Sequence, residues 1–529
     1  MIFSKNQSGI KNLSSAKAFV YFVCIGLFLP LLSIFYYSIN TNSFDFFSID
    51  AFNYFKDTFV LIFLTSVISI ILGILPAWLI TRFDIKYKNI LDLLLVIPLA
   101  IPGYIMSYTY ADLLGYNGLL DIFLQKNFNI SLKFDVLTIE WLSLFLAFSL
   151  YPYVYTTSRI AFNLISNTYI DLMSSLGISN IKSFIKIILP LSSSAIISGI
   201  FLVAMEILND YGAVKYFGIN TFSVGIFKYW FSMDQKETAI IFSLFLILIV
   251  IAILLVTNFL KKNNLKKNLY VKSSSYSSIK INSKLSNFFI HFILLAPVFF
   301  AFIVPLLFIV KNIFIYYSYY NYQEILIALK NSLLLSFISA VIITILTFII
   351  LCIERYIKNS KINILIDLLA SGYAIPGAVI GLSIMLIINF FGESINFLIG
   401  TIFLLIYSYI FRFIAVAIYP LKSNLQRLPQ KFDELAKSLR FNYLKIFFKI
   451  NLPLSKIALV SSFLIVFIDV FKELPLTLIL RPFNFETLAT EAYQYADDEM
   501  LAYSSIYSLL IIIICSVMII LTKSIFKIK

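Results

Sequence analysis

A single histidine, His291, stands in 529 residues, and one imidazole can assemble neither a multi-histidine metal centre nor a Ser-His-Asp triad. It begins an apolar run and reads as structural. Cysteine is nearly as rare: Cys24, Cys352 and Cys515 lie in separate apolar segments with no C-x-x-C pair, so they read as small packing residues. No G-x-x-x-x-G-K-[ST] occurs, which places any nucleotide site on another chain. Charge is scarce too. Only 13% of residues are charged, against about a quarter in an ordinary soluble domain.

What fills the chain instead is hydrocarbon. The composition is 60% hydrophobic with a mean hydropathy of +0.94, and apolar runs recur from Ala18 to Leu521, each near the roughly 20 residues a helix needs to cross about 30 Å of bilayer core. Twelve spans can be drawn: 18–37, 59–80, 93–114, 142–157, 191–208, 239–260, 288–310, 333–353, 368–391, 395–419, 457–471 and 501–521. Lys5, Lys11 and Lys17 precede the first in signal-peptide fashion, but the run is too long and no small-x-small cleavage site follows, so it reads as a retained membrane helix.

With both termini placed in the cytoplasm, most of the 41 basic residues fall in or beside cytoplasmic segments, as membrane topology requires. Most of the 27 acidic residues fall on the outer side, including Asp45, Asp50, Glu486, Glu491 and the trio Asp497, Asp498, Glu499, read as a solvated face. The net charge of +14 is therefore a topology signal, and nucleic acid is not an expected partner.

The chain repeats itself. IPLAIPGYIM around Pro102 and Gly103 matches SGYAIPGAVI around Pro376 and Gly377, 274 residues later, and Arg82 answers Arg355. DLMSSLGISNIKSFIKIILPLS from Asp171 answers ELAKSLRFNYLKIFFKINLPLS from Glu434 at an offset of 263, which also relates Asp210 to Glu473. The expected organisation is a lobe of six spans over 1–260, a polar cytoplasmic linker over 261–287 and a second lobe of six over 288–529. An even span count in each half makes them parallel repeats about an axis along the membrane normal.

The repeated loop between spans four and five carries a distinctive pattern. Ile170, Met173 and Leu176 form one apolar stripe and Ile181, Phe184, Ile185 and Ile188 a second, with Gly177 between them. Two short amphipathic helices and a turn are expected, Gly177 supplying left-handed backbone and Pro190 standing at the entry to the next span. A helix presented into the cytoplasm by both halves suits a partner's groove.

These residues resemble the permease subunits of ATP-binding-cassette importers of the MetI-like, type I class. Their loop has an acid, two small residues, a glycine six after the acid, and I-x-L-P ending thirteen after the glycine. Here Asp171, Gly177, Ile187, Leu189 and Pro190 keep that spacing, as do Glu434, Ala436, Ile450, Leu452 and Pro453. Leu172 and Met173 replace the small pair, Leu435 replaces one small residue, and Arg440 stands where the second glycine belongs.

The resemblance implies an all-α membrane protein of about 12 transmembrane helices that is not an enzyme. It also implies two copies of a partner ATPase holding ATP and Mg, a periplasmic solute-binding protein, and the inner membrane as location. Asp171 and Glu434 would anchor the ATPase contact and the prolines would transmit its movement. The stretches 208–231 and 469–489 narrow the resemblance to fused, two-lobed ferric-iron permeases. Thiamine and phosphonate permeases share the architecture.

Glu206, Asp210, Asp469 and Glu473 fall at corresponding outer ends of spans five and eleven, as candidates for the translocation path or for contact with the binding protein. An ion-coupled secondary transporter would instead place buried charges in mid-span; Arg412 lies there, but it stands alone in the sequence pattern and is long enough to snorkel to the interface.

Overall fold

The computed structural model describes residues 3–40, 49–116, 118–129, 135–165, 175, 177–265, 283–357, 359–439 and 441–527. Asp171, Arg440, the stripe Ile170–Met173–Leu176 and most of the linker lie outside them. Among the described residues every regular element is helical. Backbone groups in hydrocarbon must be satisfied within the chain, and an apolar helix does so alone.

Among the described residues nine helices are long and apolar enough to cross a membrane, or eleven if each of two bent pairs is one span. The span drawn over 93–114 is bent within its length, and that over 457–471 follows a bend. Lys88–Ala100 and Gly103–Phe128 meet at 88°, and Tyr443–Leu454 and Lys456–Phe471 at 73°. The remaining expected span, 142–157, is the helix Ile139–Leu164, which has the length but not the composition, because Tyr151, Tyr153, Tyr155, Thr156, Thr157 and Arg159 follow one another from its middle on. It packs against Ile49–Arg82 and Leu189–Asn209, so protein rather than lipid surrounds much of its polar surface.

Elsewhere many large apolar side chains point outward, as at Phe22, Phe314 and Phe403, although others such as Phe145 and Phe411 are buried, and Ser69, Ser143, Ser339, Thr347 and Ser461 are buried with them. Lipid tails solvate the former, and small hydroxyl residues let helices approach closely.

The first break has the same cause in both halves. Pro disfavours helical backbone in the preceding residue, and Ile101 is extended at φ −96°, ψ 110°, as is Ile375 at φ −82°, ψ 122°. Pro102 and Pro376 then cap the helices Gly103–Leu114 and Gly377–Phe391. The expected span 368–391 is accordingly interrupted at Pro376.

The chain forms two compact units. One comprises Ser43–Tyr320 and Ala492–Ile513; the other comprises Met1–Asn42, Asn321–Glu491 and Ile514–Lys529. The first helix of each sequence half therefore belongs to the unit built mainly from the other half. Phe3–Asn40 packs on Gly377–Phe391, Tyr322–Ile357 and Ser360–Ala370, with Ser33 Oγ donating to the Ser383 carbonyl at 3.0 Å. In the other unit Val304–Tyr316 packs on Gly103–Leu114, and the Tyr110 hydroxyl donates to the Phe300 carbonyl.

Candidate functional site

The two copies of the loop share local geometry. Ser179 caps Asn180–Ser183 by accepting from the Lys182 N–H at 3.4 Å, and Asn442 caps Tyr443–Ile446 by accepting from Lys445 N–H at 2.9 Å. A π-helical turn follows in each, Phe184–Ile188 and Phe447–Asn451. Both directly precede Leu-Pro. A proline ring clashes with the carbonyl four residues earlier in a regular α-helix, and the wider π turn relieves that clash upstream of Pro190 and Pro453.

Phe184 lies tilted against Trp78, with ring centroids 4.7 Å apart, and Phe447 lies 5.3 Å from Phe348, so each π turn is anchored to the long helix that carries the second expected span of its sequence half, Ile49–Arg82 or Tyr322–Ile357. Ile187 and Leu189 are half-buried and Pro190 exposed, and Ile450, Leu452 and Pro453 repeat that order. The second stripe thus divides: Phe184 and Ile188 turn inward, whereas Ile181 and Ile185 are exposed, like Leu444 and Phe448.

Before the caps the copies diverge in what is described. Gly177 takes φ +69°, the left-handed region open to glycine. In the second copy Glu434 is exposed and Ala436 buried on the helix Lys431–Ser438, flanked by exposed Phe432, Leu435 and Leu439. Arg355 fixes this helix. Its Nε donates to Asp433 Oδ2 at 2.6 Å, and its Nη1 and Nη2 donate to the carbonyls of Leu425, Leu428 and Pro429. Asp433 was missed in the sequence; a second acid beside Glu434 was the available signal. Beyond the loop, Asn180–Asn209 runs as one helix, whereas the second copy bends at Ser455, φ −101°, ψ 5°.

The carboxylates at the far ends also obey the repeat. Asp210 Oδ1 accepts from the Ala213 N–H at 2.9 Å, and Glu473 Oε1 from the Leu476 N–H at 3.2 Å. Each faces the glycine after the proline break. A Cβ built on Gly103 would lie 3.0 Å from Asp210 Oδ2, and one on Gly377 2.9 Å from Glu473 Oε1.

Arg412 is not alone and does not snorkel. Its Nη1 lies 3.1 Å from Glu473 Oε1, with both side chains 4% exposed. Burial holds the guanidinium in place because its carboxylate partner is buried with it. At the offset of 263 the first half has Ser149, whose Oγ donates to the Leu146 carbonyl. Among the described residues Asp210 has no ion pair.

The neighbouring acids differ likewise. Glu206 Oε1 accepts from the Tyr153 hydroxyl at 3.0 Å, and Asp469 pairs with Lys472 at 3.2 Å. Asp497, expected as a solvated face, pairs with Lys215 at 2.7 Å. Burial works against the Lys215 charge, but hydrogen bonding to Asp497 and the nearby Tyr211 raise its pKa above the ordinary value. Among the described residues no three His, Cys, Asp or Glu side chains come together as a metal site.

Comparison with known proteins accounts for this duplication. The profile of the "binding-protein-dependent transport system inner membrane component" family matches residues 69–267 and again 357–528. A Fe(3+)-transport system permease protein of Haemophilus influenzae is 25% identical over 475 residues, covering 88% of this chain and 89% of the relative. A sulfate transport permease of Salmonella typhimurium is 29% identical over 212 residues, 38% of this chain and 72% of the relative. A molybdenum transport permease of Haemophilus influenzae is 26% identical over 205 residues, 38% of this chain and 88% of the relative.

Two matches to one profile, on a chain whose halves share a proline break, a capped π turn and a carboxylate against glycine, identify a two-copy, multi-pass permease of an ATP-binding-cassette importer that belongs to the binding-protein-dependent inner membrane component family.

Proposed function

We propose that this permease carries ferric iron from a periplasmic binding protein to the cytoplasm, driven by two copies of a separate ATPase that hold ATP and Mg. The reading rests on one observation above the others: the relative matched along nearly the whole of both chains is a Fe(3+) permease, whereas the sulfate and molybdenum relatives match 38% of this chain. Carboxylate oxygens such as Asp210 and Glu206 suit a hard cation.

The ATPase would grip the two loops at the cytoplasmic face, where the termini also lie. Asp171 and Glu434 anchor it, Gly177 and Ala436 set the helix turns and close packing, and Arg440 alters the bend of the second loop. Ile187, Leu189 and Pro190, with Ile450, Leu452 and Pro453, join each loop to its membrane helix. Closure of the ATPase pair pulls both loops, and the halves rock between inward-open and outward-open states.

The test is uptake into proteoliposomes containing permease, ATPase and binding protein, with ferric iron, sulfate, molybdate and thiamine as competing cargoes. ATP-dependent iron accumulation is expected. Accumulation of another cargo without iron overturns the assignment. Asp171→Ala with Glu434→Ala should abolish uptake and leave a folded membrane protein; full uptake by that pair removes the coupling role.

A further inference from the structure

We propose that the N-terminal half alone carries a hard-oxygen site for the cargo, on the face Tyr104–Tyr108–Asp112 of the helix Gly103–Leu114, with Asp210 against Gly103 at the start of that helix. The inference deepens the ferric-iron reading and rests on it.

Residues four apart share a helix face, so these three side chains form one stripe of oxygen donors. Tyr104 and Tyr108 are 4% and 3% exposed, with ring centroids 6.0 Å apart. The Tyr108 hydroxyl is enclosed and has no hydrogen-bond partner among the described residues. An enclosed donor left without a partner is costly to a fold, and natural sequences remove it easily by using phenylalanine.

Tyr108 lies within electrostatic reach of Tyr493, Asp210, Tyr104 and Asp497. It also lines a cavity of about 10 Å³ with Asp112, Asn312, Ser504, Ser505 and Ser508, room for an occupant of about one water's size. The cations nearby are Lys215, engaged by Asp497 and the Tyr493 hydroxyl, and Lys311, near Asp112.

The second half supplies the control. At the offset of 274, Tyr104, Tyr108 and Asp112 become Ala378, Leu382 and Leu386, all buried. The same backbone break is thus packed with hydrocarbon, so packing does not demand phenols or a carboxylate. Where the first half has Ser149 the second has Arg412, a cation that would repel a metal. Oxygen donors and the absence of an opposing guanidinium therefore coincide in one half only.

A ferric ion is a hard acid that takes phenolate and carboxylate oxygen. Binding exchanges a hydroxide on the iron for the Tyr108 oxygen: the Fe–O bond to the phenol forms, the phenol O–H breaks, and its proton joins the departing hydroxide, which leaves as water. Iron remains ferric.

The experiment adds ferric nitrilotriacetate to the full-length permease, assembled with its ATPase in lipid nanodiscs, and reads the visible phenolate-to-iron charge-transfer band. A band is expected in the wild type and in Leu382→Met, and none in Tyr108→Phe. In proteoliposomes Tyr108→Phe should lower ferric uptake at least tenfold while its thermal unfolding midpoint holds or rises. Asp210→Asn keeps an acceptor for the Ala213 N–H and should lose uptake comparably. A wild type that transports iron without the band, or a Tyr108→Phe that transports it normally, overturns the site and leaves the cargo assignment standing. A lowered midpoint with the band retained assigns the hydroxyl to structure and also overturns it. A wild type that transports no ferric iron overturns both.

Discussion

In the N-terminal half Gly103 faces Asp210 with Ser149 beside it, whereas in the C-terminal half Gly377 faces Glu473 with Arg412 bonded to the carboxylate. The backbone devices are shared: a proline that ends one helix and starts the next, an acid that accepts from the N–H three residues on, and a capped π turn before Leu-Pro. The side chains within that frame are not. Duplication has kept what shapes the chain and released what sets local charge, so one half holds a self-neutralised pair and the other a carboxylate with no cation bonded to it among the described residues.

The sharpest way to break this comparison is Arg412→Ala, which strands Glu473 in a buried setting and should cost about 3–5 kcal/mol, read as a lowered unfolding midpoint in nanodiscs. Arg412→Ser combined with Glu473→Asp copies the first half into the second and should recover most of that loss. If the double variant is no better than the single one, the frames are not interchangeable.

Arg355→Ala removes the bonds that hold Lys431–Ser438 and should cost about 1.5–3 kcal/mol, the range for hydrogen bonds to a charged group. Reduced co-purification of the ATPase would check its effect on the loop. Gly377→Ala comes next, at about 1–3 kcal/mol for overpacking. Its Cβ would lie 2.5 Å from Arg412 Nη1, while that of Gly103→Ala would meet the end of Leu146 at 2.8 Å, so the first-half variant should be the milder in unfolding measurements. Smallest are the caps. Ser179→Ala and Asn442→Ala should each cost about 1 kcal/mol, and equal midpoint shifts would confirm that the two π turns are equally supported.

Much of this was legible in the sequence because it is local or periodic. Pro102 and Pro376 dictate their breaks through their immediate neighbours and pair at an offset of 274, and the offset of 263 pairs the loops and the acids. The ion pair was not legible, since Arg412 and Glu473 are 61 residues apart and nothing local marks them as partners. Nor was the polarity of Ile139–Leu164 expected to matter: hydropathy assumes lipid on all sides, and this helix is packed against two others. The Tyr104–Tyr108–Asp112 stripe was visible as spacing, but only the burial of Tyr108 and the apolar counterparts Leu382 and Leu386 gave it meaning.

The placement of Phe3–Asn40 has a consequence for biogenesis. Ser33 meets Ser383 across 350 residues, so the first helix leaves the ribosome long before its packing partner exists. At about 5–20 residues per second the interval is roughly 20–70 s. During that time the helix rests in lipid, which its outward Phe22, Leu32 and Ile39 tolerate, until the later segment is inserted beside it. Synthesis order and assembly order are therefore different, and the continuous chain guarantees that the waiting helix and its partner are made in equal number.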